Sequence, residues 1–330
     1  RAAAMDDLLG MTNLAWCLES GTGVPADPTQ AVVLYAQAAA RDYLPALTNL
    51  GYCYASGTGV DRDPAKALEC FQKGAEKGFP RAQFLLAEAY RRGDGVEQSD
   101  QEAAKWYQSA AWLGYPPAQT ELGRCLEFGT GVTRNLPQAV KWYTAAAEQG
   151  HAPGQCCLGF LYESGQGVDQ SWQDAVRWYQ ASAEQGYPRA QCNLAWCYEN
   201  GKGVEKNEKR AVHWYRQAAD QGDARGLFCM GVCTKRGIGL ERDMVQAVTW
   251  YQKAVDAGYV AAMCNLGVCY ENGEGVEADV AKAAELYRMA AERKDAAGQC
   301  NLGYLYETGR GVEQSWKEAA RWYKAAAESG

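Results

Sequence analysis

Gly-x-Gly followed by Val or Leu recurs at Gly21, Gly57, Gly93, Gly129, Gly165, Gly201, Gly237, Gly273 and Gly309, always 36 residues apart and without an insertion. A fixed period of this length constrains a fold more than any local motif does. Each copy is one supersecondary unit too small to bury its own apolar side, so neighbours must stack into a continuous core. Nine copies fill the 330 residues as one repeat domain, 1–330. The repeats fall near 11–46, 47–82, 83–118, 119–154, 155–190, 191–226, 227–262, 263–298 and 299–330, with 1–10 as the tail of a preceding repeat.

Each copy reads as two helices, and no strand-like alternation appears, so the predicted class is all-α. In the first helix of the sixth copy, Ala190, Leu194, Cys197 and Tyr198 form an apolar stripe at helical period, and Gly201 supplies the stop. After each Gly-x-Gly comes a residue able to accept from the free N–H groups of a helix start: Asp27, Asp63, Ser99, Asn135, Ser171, Asn207, Asp243, Asp279 and Ser315. Gln30, Glu102, Gln138, Gln246 and Glu318 stand three residues later, the spacing of a capping box. The second helix carries Ala at one phase from Ala31 to Ala319, then mostly Trp-Tyr, as in Trp142-Tyr143, then small pairs such as Ala146-Ala147. Small residues facing large ones let neighbouring helices interdigitate.

The pattern A-x3-L-G-x2-Y-x2-G-x-G-V-x2-D-x3-A-x2-W-Y-x2-A-A-x2-G closely resembles the Sel-one-like repeat family, the 36-residue relatives of tetratricopeptide repeats, over essentially the whole chain. The resemblance implies a right-handed superhelical solenoid of antiparallel helix pairs, with the first helix of each pair lining the concave side. It also implies a non-enzymatic adaptor that holds other proteins together. One branch of that family is secreted and stapled by a cysteine near the end of each second helix; this chain has Ala147 and Gln155 at the matching positions, which points to a cytoplasmic protein instead. "RAAA" at residues 1–4 matches Ala38–Ala40 one period later, and Gly330 closes a second helix with no polar cap. The expectation is a fragment of a longer protein, with uncapped ends able to associate end to end.

Composition narrows the partner. Net charge is −7, the pI is near 5.1, and no run of Lys or Arg forms a basic stripe, so nucleic acid is not expected. No stretch approaches 18 consecutive apolar residues, so membrane insertion is not expected either. Thirteen cysteines is an odd number, which argues against a complete disulfide framework. Cys17, Cys53, Cys125, Cys197, Cys233 and Cys269 share a phase with Ala89, Leu161 and Leu305, the exchange expected of a small buried hydrophobe. Cys192 and Cys197 lie about 140° apart around a helix of ~3.6 residues per turn, so they cannot close on one ion. No His shares the helix of Cys229 and Cys233, which leaves a structural zinc short of ligands. His151 stands where other copies carry Tyr or Phe and is expected to pack as an aromatic; His213 stands at a solvated phase. No Ser-x-x-Lys and no nucleophile, base and orienting acid can be assembled, so no enzyme and no cofactor is expected.

The first-helix face remains. Asn13, Asn49, Asn193, Asn265 and Asn301 recur at one phase. Three residues on lie Trp16, Tyr52, Phe160, Trp196 and Tyr304, and on the approach side Arg81, Arg189 and Arg225. An amide offers both donors and acceptors to an extended peptide, and aromatics supply anchoring area. The row also resembles the peptide-gripping Asn of tetratricopeptide domains, but Leu85, Glu121, Cys157 and Cys229 interrupt it. The same amides could instead bridge neighbouring helices. The expected function is a scaffold binding a protein or peptide in the concave groove. The alternatives are a cysteine-based metal or redox sensor, and a spacer docking through its convex face or its ends.

Overall fold

The computed structural model describes residues 7–329; the expectations resting on residues 1–4 and Gly330 lie outside them. Among the described residues there are eighteen helices and no strands. Contacts divide the chain into two units, one ending at Gln170 and one beginning at Ser171. The first contains α1 (Leu8–Ser20), α2 (Pro28–Ala39), α3 (Leu44–Ser56), α4 (Pro64–Glu76), α5 (Pro80–Arg92), α6 (Asp100–Trp112), α7 (Pro116–Phe128), α8 (Leu136–Glu148) and α9 (Ala152–Ser164). The second contains α10 (Trp172–Glu184), α11 (Pro188–Asn200), α12 (Glu208–Asp220), α13 (Ala224–Arg236), α14 (Met244–Asp256), α15 (Val260–Asn272), α16 (Val280–Glu292), α17 (Ala296–Thr308) and α18 (Trp316–Ser329). Odd helices through α17 are the first helices of the repeats, and the chain is an all-α solenoid.

The expected caps form. In all nine copies the polar residue after the Gly-x-Gly accepts from the backbone N–H three residues on, from Asp27 with Gln30 to Ser315 with Glu318. The capping box closes differently from expectation. The backbone N–H of Asp27 donates to Leu18 O at 2.8 Å, and that of Asn135 to Leu126 O at 2.8 Å. In eight of the repeats a carbonyl near the end of the first helix thus satisfies the N–H that the Gln or Glu side chain would have served, and ties the repeat to itself through backbone.

The two glycines of each connector have separate duties. Gly129 ends α7 in the left-handed region at φ +77°, its N–H bonded to Cys125 O. Gly131, at φ +68°, sits against the preceding repeat: a Cβ there would lie 2.0 Å from Asp100 O at the start of α6. Gly59 meets Pro28 O in the same way, and Gly239 meets Glu208 O. The first glycine stops a helix; the second lets two repeats touch.

Tyr35, Tyr107, Tyr143, Tyr179, Tyr251 and Tyr287 are fully buried in the second helices, and the Ala phase from Ala31 to Ala319 is buried in all nine copies. Each phenol still has to place its hydroxyl. Tyr35 donates to Glu19 at 2.9 Å, Tyr143 to Glu127 at 2.7 Å, Tyr215 to Glu199 at 2.9 Å and Tyr287 to Glu271 at 2.9 Å. Burial pushes these phenols well above their usual range, so they remain donors. Five buried Gln side chains, such as Gln119 donating to Ala111 O and Gln191 to Ala183 O, satisfy carbonyls at the end of the preceding second helix.

Candidate functional site on the first-helix face

The first helices present the predicted rows, and the two units treat them unevenly. In the first unit Trp16 is 53% exposed and Tyr52 is 47% exposed; Asn13 is exposed, and Asn49 and Phe160 are half-buried. In the second, Tyr304 is 46% exposed, while Asn193, Trp196, Asn265 and Asn301 are half-buried. Arg81 and Arg189 are exposed and Arg225 is half-buried.

Two of the five Asn residues meet a predicted Arg. Arg81 Nη1 donates to Asn49 Oδ1 at 2.9 Å, and Arg225 Nη1 donates to Asn193 Oδ1 at 2.7 Å. Each pair joins the first helices of consecutive repeats, the bridging role that an amide in a solenoid can also fill. Asn265 turns its Nδ2 back on its own helix, to Ala261 O at 3.2 Å. Trp196 packs on Trp172 with ring centroids 5.7 Å apart, and Lys202 Nζ lies 5.8 Å from the Trp172 ring centroid. The exposed aromatics, Trp16, Tyr52 and Tyr304, are the members of the rows that face solvent most openly.

A cleft of about 510 Å³ opens beside Tyr52, among the first helices α3, α5 and α7 and the second helix α4. Its floor is apolar, with Ala55, Phe71, Phe84 and Leu85. Its origin is a double departure from the repeat. Ala55 stands where Glu19, Glu127 and Glu199 stand in other copies, and Phe71 stands where they have Tyr. The buried carboxylate and the phenol hydroxyl are absent together, and space is left. In the next copy Arg91 takes the Glu phase, and Tyr107 donates instead to Glu88.

The rim is charged. Arg91 grips Glu88 through Nε at 3.1 Å and Nη2 at 2.7 Å, and Arg92 Nη2 reaches the same carboxylate at 2.6 Å. Burial acts to raise the Glu88 carboxyl, but the hydrogen bonds from Arg91 and Tyr107 outweigh it and hold it below the usual range. Arg62 reaches Asp94 at 3.4 Å, and Arg124 reaches Glu121 at 3.4 Å. Burial raises the Glu121 carboxyl. Leu85 and Glu121, which break the Asn row in sequence, are therefore part of the wall of the cleft. The signal that could have found it was the cluster of departures at 55, 71, 85, 88 and 121.

The sensor alternative rests on the cysteines. All thirteen are free thiols, and most are buried. Burial pushes Cys53 and Cys233 up to about 12 and Cys125 and Cys229 up to about 11. Such thiols are poor nucleophiles and poor metal ligands at neutral pH. Among the described residues no three His, Cys, Asp or Glu side chains are grouped to hold a metal ion. Brief alkylation of the native protein with iodoacetamide at pH 8 is expected to label Cys300, the exposed thiol, and to leave Cys53, Cys125 and Cys233 unmodified. Peptide mass mapping checks this. His151 differs from expectation: its Nδ1 lies 2.9 Å from Thr120 Oγ1, so it packs as a polar partner, and burial lowers its imidazole. The exposed His213 edges against Trp214, at a ring-centroid distance of 5.2 Å.

Comparison with known proteins matches the Sel1 repeat to residues 8–43, 44–79, 80–115, 116–151, 152–187, 188–223, 225–259, 260–295 and 296–330. A protective antigen of uropathogenic Escherichia coli with an SLR fold is similar over 99% of this chain and 70% of its own, at 35% identity and a TM-score of 0.72. A Sel1 repeat protein from Oxalobacter formigenes is similar over 74% of this chain and 96% of its own, at 30% identity and a TM-score of 0.67. A search of curated proteins by sequence found no relative.

Proposed function

This chain belongs to the Sel1 repeat family, and from that premise we propose that it is a non-enzymatic scaffold that binds a peptide or protein partner in the groove lined by its first helices. The observation that carries this reading is the exposure of Trp16, Tyr52 and Tyr304 at one phase of those helices, while six tyrosines of the second helices are fully buried. Large aromatics left in water at a repeating position are the usual anchors of an interface. Asn13 and Asn301 flank two of these rings and offer amides to a backbone. Asn49 and Asn193, with Arg81 and Arg225, set the spacing of neighbouring first helices. Phe160, Trp196, Asn265 and Arg189 extend the same rows.

No described helix is long and apolar enough to cross a membrane. A net charge of −7 disfavours polyanions, which leaves protein as the partner class. The clean test is the triple variant Trp16→Ala, Tyr52→Ala and Tyr304→Ala. Exposed positions of this kind change stability by about 0.5 kcal/mol or less each. Helicity and thermal midpoint should hold, while retention of a partner from lysate of the native cells falls about tenfold or more. Unchanged retention would remove the first-helix face as the binding surface.

A further inference from the structure

The cleft beside Tyr52 is not needed by the repeat, since six of the other copies carry a Glu–Tyr pair at the equivalent positions. We propose that it receives an apolar side chain, aliphatic or aromatic, of an acidic peptide segment, whose neighbouring carboxylates pair with Arg62, Arg92 and Arg124. This inference rests on the scaffold reading and names the chemistry of the partner at one place on that face.

Three observations select this occupant. A volume of about 510 Å³ is comparable with sites that hold small ligands, at about 300–1,000 Å³, and Phe71, Phe84 and Leu85 offer an inserted side chain only apolar contact at the floor. The rim gathers Arg62, Arg91, Arg92 and Arg124 against Glu88, Asp94 and Glu121, an excess of positive charge on a chain that is net negative. Two of those guanidiniums, Arg91 and Arg92, share the single Glu88 carboxylate. The Arg62 and Arg92 side chains are each 59% exposed and that of Arg124 is 49% exposed. A guanidinium has five donors in a planar fork, so each of these heads can take an arriving carboxylate bidentately while keeping its present contact. Asp94 and Glu121 work against a continuous polyphosphate chain, whereas a peptide can place single carboxylates between them.

The test selects a phage-displayed random peptide library on the immobilised 330-residue chain and measures the labelled selected peptides by fluorescence polarisation. Selected sequences should carry a Leu, Ile, Met, Phe or Trp flanked by Asp or Glu, and their binding should weaken with added salt. Two variants locate the site. Ala55→Glu with Phe71→Tyr rebuilds the pair found at Glu127 and Tyr143, so the repeat keeps a proven packing while the cleft is filled and made more acidic. Arg62→Ala with Arg92→Ala removes two exposed heads and leaves the floor. Each should weaken the selected peptides about tenfold or more. Peptides that lack the acidic and apolar pattern, or that bind both variants as tightly as the unaltered chain, overturn the inference, as does a selection that yields no binder. In all three cases the scaffold reading is judged separately, by whether the Trp16, Tyr52 and Tyr304 variant loses its cellular partner.

Discussion

Gly131→Ala is expected to destabilise the first unit by about 3 kcal/mol or more, whereas Gly114→Ala costs only about 1–2 kcal/mol. Both glycines have positive φ, +68° and +80°, so both substitutions carry the left-handed penalty. They differ in what a Cβ would meet. At Gly114 nothing lies within 4 Å; at Gly131 the new carbon would lie 2.0 Å from Asp100 O and 2.4 Å from its carbonyl carbon. Backbone at the start of α6 cannot swing aside as a side chain could, so the third and fourth repeats must separate. In a stacked array, stability is a sum of repeat terms and nearest-neighbour interfaces. Urea unfolding of Gly131→Ala followed by circular dichroism is therefore expected to develop an early step, while Gly114→Ala keeps the parent profile at a slightly lower midpoint. Equal shifts for the two variants would mean that the second glycine of each connector acts only through φ.

Tyr143→Ala should be as damaging, at about 3–5 kcal/mol, because it empties a fully buried ring site. Tyr143→Phe separates the ring from the hydroxyl. It keeps the packing and strands the Glu127 carboxylate, which is 7% exposed and accepts from Tyr143 Oη at 2.7 Å, at a cost of about 1–3 kcal/mol. Tyr323 supplies the control. It makes the same bond to Glu307 at 2.6 Å but is 37% exposed, so water replaces the lost donor and Tyr323→Phe should cost less. Adding Glu127→Ala to Tyr143→Phe recreates the Ala55 and Phe71 pairing of the second repeat. It should recover part of the loss, since no buried carboxylate is left unpaired. Thermal midpoints of the four variants check this order; no recovery in the double variant would mean that Glu127 contributes mainly through its packing.

What the residues alone disclosed and what they hid divides by sequence distance. The helix stops and starts were legible because each is local: Gly129 ends its own helix, and Asn135 caps the next through an N–H three residues away. The apolar stripe of Ala190, Leu194, Cys197 and Tyr198 was legible for the same reason, and all four are buried. Contacts between repeats were not legible. Gly131 against Asp100, Arg81 with Asn49 and Thr120 with His151 each join residues about one period apart, and spacing alone does not say which side chains of stacked helices meet. In sequence the Asn row fits a gripping surface, with bridging between helices as its rival. Arg81 and Arg225 supply the bridge at Asn49 and Asn193, whereas the positions 32 residues after Asn13 and Asn265 carry Pro45 and Ala297. The cleft was hidden for a different reason. It is made by atoms that are missing, at Ala55 and Phe71, and a pattern built from what recurs passes over what one copy omits.

The most direct test of the account is amide hydrogen exchange on the 330-residue chain, alone and saturated with its partner or with the tightest selected peptide. Added protection should concentrate in the first helices, above all 44–56, 80–92 and 116–128, and in the cleft-lining helix 64–76, with the other second helices unchanged. Protection centred on the second helices, or spread evenly along the chain, would contradict a binding role for the first-helix face.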